Sequence, residues 1–453
     1  MILLASSRRA CSLACSSLQP VARDRSLSFA TSTATWSRHL PDSLFSLSSQ
    51  RLSSSYLPRF SRRTFHATSL FSLDAPRISY RVAASSSPKN RRFHPPTNFH
   101  NFQPELHDAI GVVTEEIDAA TRRKRRPDSG EDAFFVSRVG SQNSGAIAFA
   151  VADGVGGWVE SKVDPANFSH ALCLYMALEA LSWDSSTDKL RAKNLLQSGY
   201  DQLVADKSIR AGGSTASVGV GLEDGQVELA NLGDSGSMLL RLAAVHHYSV
   251  PQTHGFNTPY QLSIIPPRMR AQASIFGGSF LEDSPRDAVV TNLHMQHGDV
   301  LMLATDGVYD NLNNQDILKL ITSRMILTGA WTATTDLGIK VSDNLGALTG
   351  PDGLASLLPW PSPPSKPSAA DPSTSGNVAP SSRINQHHTL QSLLASTVAG
   401  EAKRASMDSR RDGPFAKEAQ RYYPGDWYRG GKVDDICVLI IVAVEEGRGH
   451  ESC

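Results

Sequence analysis

The sequence predicts one domain that mixes strands and helices and carries a long insertion near its end. Three observations lead there. Between Ala133 and about Ile321, short apolar runs alternate with Gly/Asp/Asn turns. Two amphipathic helical patterns interrupt those runs. A last apolar run, "DDICVLIIVAV", stands beyond a Pro/Ser-rich stretch. It must join the same sheet, because alone its apolar surface would face water.

Residues 1–68 read as a mitochondrial presequence. Up to Pro104 the only acids are Asp24, Asp42 and Asp74, while Arg and Ser recur. That is the composition of an organellar transit peptide. "RRTFHATS" (Arg62–Ser69) resembles the Arg-x-Phe-x-x-Ser/Thr cleavage signals of such presequences. A disordered tail is the plainer alternative. Residues 69–104, with "SSSPKNRRFHPPTNF", read as a linker, and the folded domain is expected over 105–446.

Within that domain "DAFFVSRV", "GAIAFAVAD", "STASVGVGL", "GQVELANLGD", "SMLLRL", "AVVTNLHM" and "DVLMLATD" read as strands. In "VDPANFSHALCLYMALEAL" Asp164 can cap and Pro165 suits a first turn, while Phe168, Leu172, Tyr175 and Met176 share one face. A second helix is expected over Thr187–Asp206 and a third after Asn314. An insertion at about 350–388 is centred on the Pro/Ser low-complexity stretch Ser356–Arg383. Its composition cannot bury enough apolar surface to order itself. A helical pattern resumes in "TLQSLLASTVAGEAKRASM".

The 453 residues carry a formal net charge of zero, so nothing overall favours nucleic acid or an anionic membrane. The longest strongly apolar run, Ile436–Val444, is about half a membrane span, so no transmembrane segment is expected. Of the five cysteines, Cys11 and Cys15 would leave with the presequence. Cys173, Cys437 and Cys453 lack metal-ligand spacing.

The chemistry lies at the strand ends. "AIAFAVAD" ends in Asp153, "VLMLATD" ends in Asp306, and the last strand begins with Asp434 and Asp435. "GED" adds Glu131 and Asp132 before another strand. The strands are near-continuous apolar runs, expected to be covered on both faces. Carboxylates that converge at such ends raise one another's pKa values, and desolvation adds to the cost. A hard divalent cation, Mg²⁺ or Mn²⁺, removes the problem. Glycines at 154, 156 and 157 would let the backbone approach the ion and offer a carbonyl. An Asp-Gly pair is more often a simple turn, but here it recurs at Asp153 and Asp306.

"GEDAFF", "VADGVGGW", "GGSTASVGV", "ANLGDSGSMLLR", "LATDGVYDNL" and "DDICVLI" occur in the order found in the type 2C metal-dependent protein serine/threonine phosphatases, which this chain resembles from about Asp108 to Val444. "VESKVDPANFS" and "HGFNTPYQLSIIPP" are more similar to that family's mitochondrial branch. The resemblance implies an α+β fold, a four-layer αββα sandwich of two antiparallel sheets flanked by helices. It implies two metal ions, with Asp153 bridging them, Gly154 lending its carbonyl, and Asp306 and Asp434 as further ligands. Glu131 would reach the centre through water. Asp234 and Asp310 match positions that hold a third, weaker ion in some members; a turn residue is the even-odds alternative for Asp234.

Uncatalysed phosphate monoester hydrolysis requires acceleration of up to ~10²¹-fold, about 28 kcal/mol of barrier lowering, and one hydrogen-bond donor supplies only about 3–4 kcal/mol. Two metal ions acidify a bridging water, orient the phosphoryl group and neutralise its oxygens. The expected activity is therefore hydrolysis of phosphoserine and phosphothreonine by a metal-bridging hydroxide, with no phosphoenzyme. Asp153, Asp306 and Glu131 would serve that chemistry. The family's phosphate-binding arginine would fall at Pro127, so Arg126, one residue earlier, is its candidate. Many members carry a histidine, proposed as general acid, where this chain has Val155; a metal-bound water or His254 are the alternatives. The resemblance points to matrix phosphoproteins such as enzymes of ubiquinone biosynthesis. The rivals are a catalytically impaired phosphatase-fold binding module, which Val155 favours, and a hydrolase of small phosphate esters.

Overall fold

The computed structural model describes residues 77–95, 98–140, 145–276, 280–336, 338–354, 388–425 and 427–447. All of them fall in the compact unit Phe71–Cys453. The presequence expected over 1–68 and the low-complexity centre of the insertion, 355–387, lie outside the described residues.

Two six-stranded sheets form the middle of the domain. The first runs, edge to edge, through Ala244–Tyr248, Gly236–Arg241, Val300–Ala304, Ile436–Glu445, Ile78–Ser87 and Phe99–Phe102. The second runs through Val289–His294, Gln226–Leu232, Ala216–Gly221, Ile147–Asp153, Asp132–Arg138 and Ala109–Ile110. Every neighbouring pair is antiparallel.

The apolar alternation decides how the sheets stack. Phe149 and Val151 meet Leu439, Ile441, Leu301 and Val82 in a core between the sheets. Ala148, Ala150 and Ala152 on the opposite face pack under helices Ala166–Leu181 and Ala192–Ala205, against Phe168, Leu172 and Leu195. Val438, Ile440 and Val442 turn the other way, toward helices Asn314–Leu327 and Leu390–Ser406, meeting Ile321, Leu394 and Val398. The inner strands are covered on both faces, which is why they are apolar at nearly every position, while the edge strands Ala244–Tyr248 and Val289–His294 carry exposed residues. The result is the four-layer αββα sandwich expected from the resemblance.

The structure corrects the linker reading of 69–104. Ile78–Ser87 is a ten-residue strand inside the first sheet, paired along its whole length with Ile436–Glu445 from Ile78↔Glu445 to Ser87↔Ile436. Phe99–Phe102 pairs on its other side. The strand's serines hid it: Ser85, Ser86 and Ser87 are buried, and Ser85 Oγ donates to Asn98 O at 2.8 Å. The second helix starts later than expected, at Ala192. Glu228 Oε1 accepts from Ala192 N at 2.9 Å and fixes that start, while Thr187–Lys189 forms only a 3₁₀ turn. The helix at Ala166–Leu181 follows the expected face, with Asp164 Oδ1 accepting from Ala166 N at 3.2 Å.

Candidate metal centre

Asp153 ends the Ile147–Asp153 strand, and that end is pinned. Its carbonyl accepts from Thr215 N at 3.0 Å and Ser214 Oγ at 2.8 Å. Gly154 is crowded: a Cβ there would lie 2.7 Å from Glu131 O and 2.9 Å from Pro165 O. The glycine is thus required by packing between these two backbone segments. Around Gly157 nothing lies within 4 Å, so no crowding demands a glycine there.

Asp306 follows the Val300–Ala304 strand, at the start of a short helical turn, Asp306–Tyr309. Asp434 precedes the Ile436–Glu445 strand beside it. Asp310 lies one turn beyond Asp306, its N donating to Asp306 O at 2.7 Å. Asp234 lies in the turn between Gln226–Leu232 and Gly236–Arg241. Strand ends from both sheets thereby bring Asp153, Asp234, Asp306, Asp310 and Asp434 into one electrostatic cluster.

The charges act on one another. Burial, then Asp306 and Asp132, holds Asp153 well above the usual carboxylate range. Burial and Asp306 push Asp234 up to about 7 and Asp434 up to about 6. Burial raises Asp310 well above normal although Lys432 opposes it. Burial would also raise Asp306, but the Lys432 ammonium carries it below its ordinary value. Lys432 Nζ lies 2.5 Å from Asp306 Oδ2, 2.6 Å from Asp310 Oδ2 and 3.0 Å from Asp434 Oδ2.

This donor set fits a hard divalent cation. Among the described residues it is oxygen only, the acids outnumber Lys432, the cation that contacts them, and the buried Asp234 Oδ1 has no hydrogen-bond partner. Among the described residues no three or more His, Cys, Asp or Glu side chains stand close enough together to hold a metal ion as they are placed. Ions of the Mg²⁺ type keep several waters and need few direct protein ligands.

Of the other expected residues, Glu131 borders the cluster and Arg126 stands apart from it. Glu131 is held by Lys89 Nζ at 2.9 Å, and its Oε2 faces Gly156, where a Cβ would lie 3.3 Å away. Arg126 Nη2 donates to Asn167 Oδ1 at 3.1 Å, and the side chain lines a small cavity with His170, Tyr175 and Asp206. None of the clustered carboxylates lines that cavity; residue 126 directly follows the helix Ala119–Arg125. His254 is engaged elsewhere too, with Nε2 3.0 Å from Asp283 Oδ2 and its ring stacked on Tyr260. Val155 packs beside Trp158, Ala211 and Ile265.

A profile described as protein phosphatase 2C matches residues 121–338. "Protein phosphatase 2C homolog 7, mitochondrial" of Saccharomyces cerevisiae is 35% identical over 268 residues, 58% of this chain and 75% of that protein. The chain belongs to the protein phosphatase 2C family. It is a protein serine/threonine phosphatase by that membership. "Protein phosphatase PTC7 homolog" of Danio rerio is 38% identical over 191 residues, 42% of this chain and 60% of that protein. Among solved structures, the photosystem II phosphatase PBCP is 22% identical with a TM-score of 0.45, covering 72% of this chain and 95% of that one.

At this candidate site two lysines, Lys89 and Lys432, escape sequence reasoning, and two acids, Asp132 and Asp435, are read there only as members of the strand-end cluster, without a role. Asp132 is fully buried, accepts from Thr305 Oγ1 at 2.8 Å, and is raised by burial and then by Asp435. Asp435 accepts from Lys89 N at 2.6 Å and Glu131 N at 2.9 Å, tying two loops to the strand start. Lys89 and Lys432 bring the positive charge. The doubled acids in "GED" and "VDD" were visible signals for the two acids; nothing local marks either lysine.

Proposed function

We propose that the chain hydrolyses phosphoserine and phosphothreonine in mitochondrial proteins with the help of two Mg²⁺ or Mn²⁺ ions and a third, weaker one. The observation that carries this is the mutual action of Asp153, Asp306 and Asp434, delivered by three different strands of two sheets. Asp153 and the Gly154 carbonyl, with Asp306 and Asp434, would hold the pair of ions, and Asp234 with Asp310 the third. Glu131, steadied by Lys89, would reach the site through water. When bound, the ions supply an acidified water and neutralise the phosphoryl oxygens for in-line displacement.

The chain's own groups do the rest. Thr215, Ser214 and Gly154 fix where Asp153 stands. The Val155 side chain has no proton to give, and His254 is engaged by Asp283, so neither is assigned to the leaving oxygen. The cavity of about 690 Å³ beside Asp306, Asp310 and Asp234, walled by Phe256 and Phe415, gives a phosphorylated side chain room to enter. A mitochondrial site of action is supported by the acid-poor N-terminal composition and by the yeast relative's name.

The test is phosphate release from a phosphothreonine peptide by the full chain, with EDTA and across a Mn²⁺ titration. Turnover that rises with Mn²⁺ is expected. No release by folded protein at any Mn²⁺ concentration would leave the binding-module reading in its place. N-terminal sequencing of the native protein decides the targeting: a chain beginning near Arg63–Ser69 supports it, and an intact Met1 in the cytosol overturns it.

A further inference from the structure

Lys432 is the charged group that the reading above leaves without a task. Its ammonium meets three acceptors, Asp306 Oδ2, Asp310 Oδ2 and Asp434 Oδ2, at 2.5, 2.6 and 3.0 Å. An ammonium has three protons to donate, so its capacity is filled by these carboxylates. The placement is built into the fold. Asn311 is buried; its Oδ1 accepts from Lys432 N at 3.0 Å, and its Nδ2 donates to Lys432 O and Gly307 O, each at 2.9 Å. The backbone of residue 432 is therefore locked to the turn that carries Asp306. The Phe415 ring flanks the ammonium, 5.1 Å from Nζ to its centroid, and the side chain is 17% exposed. Lys89, the other lysine nearby, serves a different pair, at 2.9 Å from Glu131 and 3.9 Å from Asp435.

We propose that Lys432 is a tethered counter-cation that competes with a divalent ion for Asp306, Asp310 and Asp434, and so sets the metal concentration at which the site fills. The inference rests on the metal-dependent reading above. The oxygens that Lys432 contacts are those a hard cation would take at about 2.1 Å. An N–H directed at the same oxygens and a metal ion at bonding distance exclude one another. Filling the site then requires the ammonium to swing away from its three partners. Apparent metal affinity falls by the fraction of time the lysine is withdrawn, so a lysine in place nine-tenths of the time weakens it about tenfold. In return, Lys432 neutralises part of the repulsion among acids that the fold must bring together before any ion arrives.

The test is calorimetric Mn²⁺ titration of the full chain as wild type, Lys432→Met and Lys432→Arg. Methionine keeps the apolar stem against Phe415 and removes the charge; arginine keeps the charge. Lys432→Met is expected to bind Mn²⁺ about tenfold more tightly, and Lys432→Arg to stay within about threefold of wild type. Melting curves give an independent readout. In EDTA the methionine variant should melt lower than wild type, and added Mn²⁺ should raise its melting temperature by more. Lys432→Gln carries the same expectations should the methionine variant fail to fold. Equal or weaker Mn²⁺ affinity on loss of the charge overturns the competition while leaving the metal site standing. Absence of Mn²⁺ binding in every form overturns both.

Discussion

Gly307 packs so closely on the Asp435 carbonyl that a Cβ at residue 307 would lie 1.9 Å from that oxygen. The contact draws the turn after Asp306 onto the backbone between Asp434 and the last strand. A glycine that looks like ordinary turn chemistry in "TDGVYD" is thus what lets two candidate ligands from adjacent strands stand together. Gly307→Ala should destabilise the fold by about 2–3 kcal/mol, the cost of forcing atoms into a packed site. It should also weaken Mn²⁺ binding, because relief of the clash moves Asp306 away from Asp434. Gly157→Ala, with nothing within 4 Å, is the control and should leave both unchanged. Melting curves and Mn²⁺ titrations of the two variants check this; an undisturbed Gly307→Ala would show that the turn shifts freely.

His170 gives the fold an acid limit. It lies buried in the Ala166–Leu181 helix. Burial first, and the Arg126 charge second, lower its pKa from 6.5 to about 3. The folded state therefore holds a neutral imidazole where the unfolded chain takes up a proton. Stability from this group is complete above pH 6.5 and is lost as pH falls toward about 3, by up to about 1.4 kcal/mol per pH unit. His170→Gln should flatten that part of the profile. Melting temperatures of both forms between pH 7 and pH 5 measure it, and parallel profiles would remove His170 as the cause.

Much of the site was legible because its grammar is local. An apolar run ending in an acid and a glycine can be read at Asp153 and Asp306 without knowing which strands are neighbours. The partners of those acids were not legible. Lys432 sits in "GGKVDD", which reads as a solvated turn, and only the pairing of Ile436–Glu445 with Val300–Ala304 brings it over Asp306. Arg126 shows the converse: the family resemblance suggested phosphate, while its guanidinium donates to Asn167. The Ile78–Ser87 strand was missed because arginine and buried serines broke its apolar pattern.

That missed strand makes a truncation test. A chain beginning at residue 105, where the sequence placed the start of the domain, would lack both Ile78–Ser87 and Phe99–Phe102. The Ile436–Glu445 strand would lose a partner along its whole length, and Val82, Ala84 and Tyr80 would leave the core between the sheets. A chain beginning at Arg77 should fold with a cooperative melt, and one beginning at residue 105 should not. Circular dichroism melts of the two decide it. A cooperative melt from the shorter chain would mean that the first sheet closes without its inner strand.

The Asp306→Asn substitution tests the metal centre most directly. It keeps the side chain's shape and removes one negative charge. Asp306 contributes to the raised pKa values of Asp153, Asp234 and Asp434, so its neutralisation eases repulsion among the acids that remain. Lys432 still has Asp310 and Asp434 to pair with. The fold should therefore survive, with a melting temperature in EDTA modestly below wild type, because the pairing with Lys432 that holds Asp306 below its ordinary pKa is lost. Turnover should not survive: a site that holds its ions less well loses both the acidified water and the placement of the phosphoryl group, and kcat/KM should fall on the order of 10³-fold or more. A plain Asp-Gly turn predicts a similarly small change in stability but unchanged turnover. Hydrolysis of a phosphothreonine peptide across a Mn²⁺ titration, measured beside the melting curve, separates the two. Wild-type turnover at low Mn²⁺ in a folded Asp306→Asn protein would exclude Asp306 as a metal ligand.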